Sequence, residues 1–177
     1  MMKRVVGYIV LFIIVFTFLV MAACNKPVQP TTFSGQKSEI SVEAKNYNAT
    51  GLAFAQQGQY QQAIEDYNQA IRLKPDFAGA YAARGVAYAY LGQYKNAREN
   101  YDEAIRLKPN NKGTYYNYAC LFALQKDAKQ ACKWLRWAIE KGFKNWKQFE
   151  TDKDFDSIRN EKCFVDIIKK IFKLNHR

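Results

Sequence analysis

The chain has 177 residues and a formal net charge of +11, which is enough length for one domain with a continuous core. Its only histidine, His176, stands next to the end of the chain, and there is no CxxC pair and no GxSxG, P-loop or HExxH motif. We therefore expect no structural zinc site, no enzyme and no cofactor. The basic charge favours a solvated surface or attraction to anionic lipid headgroups, and without a nucleic-acid-binding motif we expect no nucleic-acid partner.

The first 23 residues have the composition of an export signal. Lys3 and Arg4 precede an almost unbroken apolar run over residues 5–20, and two alanines stand directly before Cys24. A basic start, an apolar centre and small residues before a cleavage site are typical of a secretory signal. With a cysteine in this place, the segment resembles a bacterial lipoprotein signal. The resemblance implies cleavage before Cys24, lipidation of Cys24 and firm attachment to a membrane through several acyl chains.

An uncleaved signal anchor is the alternative interpretation. Met21 stands where lipoprotein signals usually have leucine, and the apolar run approaches the roughly 20 residues that span a bilayer. Both interpretations keep Lys3 and Arg4 inside and place the rest of the chain on the extracytoplasmic side of the membrane. The sequence thus predicts a membrane-anchored protein of the bacterial cell envelope.

Residues 24–40 are predicted to form a flexible tether. They are rich in proline, threonine, serine, glycine and glutamine and contain little that a core would bury. Ser41 has the chemistry of an N-cap, so we expect the first helix to begin near it.

The chain then repeats itself at a spacing of 34 residues. The segment GQYQQAIEDYNQAIRLKPD, from Gly58, is echoed by GQYKNARENYDEAIRLKPN, from Gly92. Each unit has two stretches with apolar residues at helical spacing, a glycine between them where the chain turns, and a proline that ends the second stretch. A fixed period in this range indicates stacked helical hairpins.

Small and aromatic residues recur at the same places in both units. In the first unit they are Tyr47, Gly51, Phe54, Ala63, Tyr67, Ala70 and Pro75, and in the second Tyr81, Gly85, Tyr88, Ala97, Tyr101, Ala104 and Pro109. This pattern resembles the tetratricopeptide repeat (TPR) family. A third, decayed unit has Tyr115, Ala119, Phe122, Ala131, Leu135 and Ala138, with Lys126 in place of the turn glycine and Phe143 in place of the proline.

The resemblance implies an all-α fold, a right-handed superhelical stack of helix-turn-helix hairpins. Three units of about residues 44–77, 78–111 and 112–145 occupy residues 41–145. Residues 146–177 are predicted to form a C-terminal helical cap, because the exposed edge of the last unit must be covered. An apolar stripe at helical spacing in this cap consists of Phe164, Ile167, Ile168, Ile171 and Phe172.

Two features of the third unit and the cap bear on metals and disulfides. Asp152, Asp154 and Asp156 alternate, but the glycine and the later glutamate of a calcium loop are not at the required spacing, so no metal site is predicted. The TPR resemblance directs Cys120 towards the groove and Cys132 towards the helix packing, which is poor geometry for a bond between them. Exported proteins can form disulfides, yet we expect buried free thiols at 120, 132 and 163.

The resemblance also implies a concave groove lined by the first helix of each unit. The family's lining positions give the predicted partner-binding residues: Asn48, Leu52 and Gln56 in unit one, Ala82, Val86 and Tyr90 in unit two, and Tyr116, Cys120 and Leu124 in unit three. The family's best-known groove clamps a peptide carboxylate with polar residues. Leu52, Ala83 and Gly113 stand at those places here, so chaperone tails are not the expected ligand.

This fairly apolar groove, with tyrosines at its edge, suits an apolar helix or extended segment of a partner protein. Occupation by the chain's own linker, by a second copy or by no ligand are the alternatives. The sequence therefore predicts a membrane-anchored TPR scaffold that assembles proteins in the envelope. The alternative is a self-associating structural TPR protein, a homo-oligomer, held by an uncleaved transmembrane anchor.

Overall fold

The computed structural model describes residues 33–175, with side chains described for 38–145 and 147–171. Within this range every regular element is a helix and no strand occurs. The α-helices are α1 Phe33–Gln56, α2 Tyr60–Leu73, α3 Ala78–Tyr90, α4 Tyr94–Leu107, α5 Lys112–Leu124, α6 Ala128–Glu140, α7 Trp146–Thr151 and α8 Lys162–Asn175, and a 3-10 helix at Lys153–Ile158 separates the last two. The predicted all-α stack of hairpins with a helical cap is confirmed.

The predicted export segment and lipidation site, including Cys24, lie outside the described residues. Among the helices of residues 33–175, none combines the length and the apolar composition that crossing a bilayer requires.

Each of the three hairpins turns through a residue in the left-handed conformation. Gly58 has φ +76° and Gly92 has φ +72°, as the glycines in the repeat predict. Lys126 takes the same place in the third hairpin with φ 61°. The third turn therefore keeps the backbone path of the first two although its glycine is missing.

Within each of the first two hairpins, the two helices approach each other closely at a glycine. A Cβ atom on Gly51 would lie 2.7 Å from Cε1 of Tyr67, and one on Gly85 would lie 2.5 Å from Cε1 of Tyr101. Because such contacts are shorter than van der Waals packing allows, the bulky ring requires glycine opposite it. In the third hairpin Ala119 faces the same slot, where the buried residue is the shorter Leu135.

Polar contacts tie neighbouring helices together, within the first two hairpins and between successive hairpins. Thr50 donates to Asp66 (2.5 Å), Arg84 donates to Asn100 (2.8 Å), and the Tyr118 hydroxyl donates to Asp102 (2.9 Å). Each pair is 16 residues apart in the chain. The half-buried Arg84 also donates to Asn68 of the preceding hairpin (2.6 Å), so it joins units one and two. The bond from Tyr118 to Asp102 joins units two and three at the equivalent place.

The first helix begins earlier than predicted. Helix α1 starts at Phe33 and not near Ser41, so the stretch from 33 to 40 is helical and cannot serve as flexible tether. The first helix can extend upstream because residues 33–44 contain no proline, the residue that most strongly interrupts a helix. The remainder of the predicted tether lies outside the described residues.

The cap folds onto the third hairpin through one apolar cluster. Phe149, Phe155 and Ile158 are almost completely buried, and Phe164 and Ile167 of α8 join them against α5 and α6. Arg159 holds the cap segments together, since it donates to the backbone carbonyls of residues 149, 150 and 152 and to the carboxylate of Asp156.

The expectation of three free thiols is wrong for two of them. Cys132 of α6 and Cys163 of α8 form a disulfide across 31 residues of chain. Cys120 is free and buried, as predicted. The sequence reasoning had considered only a bond from Cys120 to Cys132. It missed the partner in the cap, because the repeat pattern does not specify where the cap packs.

Candidate binding groove

The first helices of the three hairpins line an open groove of about 310 Å³. Leu52 and Ala55 come from α1, four residues from α3, and Gly113, Thr114 and Asn117 from α5. We call it the N-terminal groove. Its α3 surface consists of Gly79, Ala82, Ala83 and Val86. Such small residues leave the backbone close to the surface, so the groove has room for side chains that come from outside.

A second, smaller cavity of about 140 Å³ adjoins the first, and Val86 and Asn117 line both. One wall of this cavity is the cap, which contributes Gln148, Asp152 and Asp154. We call it the acidic pocket. The remaining lining comes from α3, α4 and α5: Val86, Ala89, Tyr90, Tyr101, Tyr116, Asn117, Cys120, Leu121 and Leu124.

Two tyrosines hold the carboxylates of the acidic pocket. The Tyr116 hydroxyl donates to Oδ2 of Asp152 at 2.5 Å, and the Tyr90 hydroxyl lies 3.1 Å from Oδ1 of Asp154. Asp152 also accepts a hydrogen bond from the backbone N–H of Asp154, which begins the 3-10 helix. Both carboxylates therefore have fixed positions.

Burial dominates the ionisation of these groups. It raises the pKa of Asp154 above its ordinary value, and the neighbouring Asp152 raises it further. Burial and Asp154 raise the pKa of Tyr90, and burial followed by Asp152 raises that of the Cys120 thiol well above its usual range. Tyr90 is consequently a neutral donor, and Cys120 is a protonated thiol of low nucleophilicity.

The cap removes part of the predicted groove from solvent. Tyr116 and Cys120 are 4% and 7% exposed, although both were predicted to contact a partner. The Tyr116 ring stacks on Phe143 with centroids 4.5 Å apart and also meets the rings of Phe149 and Phe155. The chain's own C-terminal segment therefore covers the groove at unit three, a place where the TPR pattern suggested an open surface.

The other predicted residues fall into three groups. Leu52, Ala82 and Val86 line the N-terminal groove, and Tyr90 and Leu124 line the acidic pocket. Tyr90 is 46% exposed and stacks on Tyr60. Asn48 and Gln56 lie on α1 but do not line either cavity; Gln56 is exposed, and the buried Oδ1 of Asn48 has no hydrogen-bond partner among the described residues.

Sequence reasoning missed the two aspartates of the site. Asp152 and Asp154 were noted only as part of a poor calcium loop. Alternation at i and i+2 places side chains on one face only in an extended segment, and the repeat pattern gives no reason to place this segment in the groove.

One side-chain group in the described part of the chain has the composition of a metal site. The ligand atoms of Cys120, Asp152 and Asp154 lie within 4.8 Å of one another. A structural zinc site takes four ligands and calcium takes six or more oxygens. The arrangement thus falls short of either coordination shell, and the prediction of no metal site remains a prediction.

Comparison with known proteins identifies the repeats. Family models described as TPR repeat and tetratricopeptide repeat match residues 51–92 and 78–111. No curated protein matches the chain significantly. Residues 51–111 therefore carry tetratricopeptide repeats.

Solved structures of TPR proteins share the fold. MamA is 28% identical with a TM-score of 0.52, and the match covers 60% of this chain and 63% of MamA, so it spans less than two thirds of that protein. The TPR domain of Arabidopsis OM64 is 18% identical (TM-score 0.57; 76% and 98% covered). The first TPR domain of Spaghetti (RPAP3), solved with the HSP90 peptide SRMEEVD, is 21% identical (TM-score 0.54; 77% and 96% covered). The hairpin stack is accordingly that of the TPR superhelix.

Proposed function

We propose that this protein is a scaffold that binds a segment of a partner protein in the N-terminal groove while its N-terminus is attached to a membrane of the bacterial envelope. TPR domains typically mediate protein–protein interactions and are not enzymes. The observation that supports this proposal most directly is the open groove formed by α1, α3 and α5. Small residues form its α3 surface, and the Leu52 side chain is 44% exposed in it. An exposed leucine beside small residues suits an apolar partner segment.

Leu52→Asp is expected to weaken partner capture at least about tenfold, since it puts an unpaired charge where apolar contact is required. The variant should fold normally, because substitutions at exposed positions change stability by about 0.5 kcal/mol or less. The measurement is crosslinking in the native cell, followed by affinity purification of the full chain and quantitative mass spectrometry.

Leu91→Asp is the matched control, because Leu91 is 39% exposed and lines neither the N-terminal groove nor the acidic pocket. It should capture the same proteins as the parent chain. Equal capture by Leu52→Asp would refute binding in the groove. Light scattering on the purified samples tests the self-associating alternative, which the exposed Ile40 and Val42 of α1 favour.

Two observations support the membrane attachment and the extracytoplasmic side. The basic and apolar start of the chain ends in two alanines before Cys24, as in lipoprotein signals. The disulfide between Cys132 and Cys163 belongs to oxidising compartments such as the periplasm or the cell surface. The repeats would therefore present the groove outside the cytoplasm.

Cys24→Ala is expected to leave a precursor that keeps residues 1–23 and carries no acyl chains, because the thiol that receives the lipid is gone. Intact-mass measurement and metabolic labelling with a fatty-acid analogue check this. Cys120→Ala is the control and should be processed as the parent chain. If Cys24→Ala leaves the mass and the membrane fractionation unchanged, the uncleaved anchor replaces lipidation.

A further inference from the structure

The acidic pocket places two negative charges in the groove of a protein with a net charge of +11. Asp152 and Asp154 both line it and are both partly buried. The surface charge of the whole chain attracts acidic partners without selectivity. The charge of the acidic pocket is therefore opposite in sign to the net charge of the chain.

No cation neutralises this pair among the described side chains. Arg159, the nearest arginine in the sequence, directs its guanidinium to the carboxylate of Asp156 and to backbone carbonyls. The remaining ion pairs of the described residues join Lys95 to Glu99, Arg106 to Glu103 and Lys162 to Asp166. Two carboxylates that lie close together and away from bulk water favour binding of a cation that relieves their repulsion.

Both carboxylates can accept further hydrogen bonds besides those from the tyrosines. A carboxylate accepts about four hydrogen bonds. Asp154 accepts from the Tyr90 hydroxyl through its two oxygens and interacts with the Cys120 thiol. Asp152 accepts from Tyr116, from one backbone N–H and weakly from the Cys120 thiol. Because these donors fix the oxygens, a cationic donor meets acceptors that are already in place.

The acidic pocket lies where a side chain of a segment bound in the N-terminal groove could reach Asp152 and Asp154. Val86 and Asn117 line both the N-terminal groove and the acidic pocket, so the two are continuous. At about 140 Å³ the pocket has room for one side-chain head group and not for a folded segment. A chain that lies over Leu52 and Val86 would direct one side chain into the pocket.

On the premise that the groove binds a protein segment, we propose that its preferred partner carries a lysine or arginine that pairs with Asp152 and Asp154, flanked by apolar residues that lie on Gly79, Ala82 and Ala83. This is the opposite of an acidic ligand such as the HSP90 peptide SRMEEVD bound to the similar RPAP3 domain.

The test is a selection from a random peptide library on the full chain in detergent, followed by titration of the best labelled peptide by fluorescence anisotropy. Enriched peptides should contain a basic residue between apolar ones, against the bias of the net charge. Asp154→Asn should weaken the selected peptide about tenfold, the scale of one charge-assisted hydrogen bond, and Asp154→Lys should shift enrichment to acidic peptides.

Asp156→Asn is the matched control, since it removes the same charge from the same 3-10 helix but lies outside the pocket. It should bind like the parent chain. Enriched peptides without a basic residue that are lost in Leu52→Asp would overturn this inference and leave the proposed function standing. Failure to enrich any peptide would overturn both, and a basic preference that appears only after a chelator is added would assign the carboxylates to a metal ion.

Discussion

Replacing Phe155 with alanine is expected to lower the free energy of unfolding by about 3–5 kcal/mol, the usual cost of truncating a fully buried phenylalanine. Phe155 is completely buried, and its ring meets those of Tyr116 and Phe164 at 5.7 and 5.4 Å between centroids. It joins the 3-10 helix to α5 on one side and to α8 on the other. Its loss should therefore loosen the cap before it affects the first two hairpins.

The reactivity of Cys120 reports on that loosening. In the parent chain the thiol is 7% exposed and its pKa is raised well above the ordinary value by burial, so alkylating reagents should react slowly. In Phe155→Ala the rate at Cys120, located by peptide mass spectrometry, should rise at least about tenfold. Urea unfolding supplies the stability change.

Leu91→Ala is the control for an apolar truncation, because Leu91 is 39% exposed and should cost little stability. It should leave the alkylation rate at Cys120 unchanged. A Phe155→Ala protein with parental stability and a slowly reacting Cys120 would mean that the cap is not seated over unit three.

The position of the cap defines the extent of the binding surface. Ser157 of the 3-10 helix donates to the backbone carbonyl of Ala123 at 2.6 Å, and Tyr116 lies beneath Phe149 and Phe155. Under the proposed function, a partner would contact α1, α3 and the beginning of α5, together with the acidic edge of the cap. The cap covers the groove side of the terminal unit and leaves that of the first two units open, as expected of a repeat array with a modified end.

The repeats were predictable because each slot has a local physical reason. Gly51 and Gly85 recur because Tyr67 and Tyr101 pack directly against them. Gly58 and Gly92 recur because the turns need a positive φ. A period that links such residues specifies the hairpins and also which helix faces the groove. Leu52, Ala82 and Val86 accordingly line the N-terminal groove, and their contact with a partner stays a prediction.

The cap was not predictable in the same way, since it belongs to no repeat. At the 34-residue spacing, Tyr116 is equivalent to Asn48 and Ala82, and only the size of its ring distinguishes it. That large ring is stacked on Phe143 and buried by cap residues far along the chain. Cys132 and Cys163 share this difficulty, since their pairing depends on how α8 docks on α6.

Reduction of the disulfide between Cys132 and Cys163 is expected to lower the free energy of unfolding of the full chain by about 3–4 kcal/mol. The bond closes a loop of 31 residues, and loop-closure entropy for that length gives a loss of this size when the unfolded chain is released. Cys132→Ala/Cys163→Ala should have the lower stability from the outset and should not respond to reductant. Urea unfolding with and without reductant measures both.

Cys120→Ala is the matched control, because it removes a buried thiol that is free and should keep the full response to reductant. Equal unfolding midpoints for the parent chain with and without reductant would contradict a stabilising role of the bond.

The redox state of the same disulfide in the cell indicates the compartment in which the protein lies. Rapid alkylation of intact cells, followed by mass spectrometry without reduction, should find Cys132 and Cys163 protected and Cys120 not bonded to another cysteine. Because cytosolic thiols are kept reduced, alkylated Cys132 and Cys163 in intact cells would contradict the proposed extracytoplasmic location and leave the groove's binding function to be tested inside the cell.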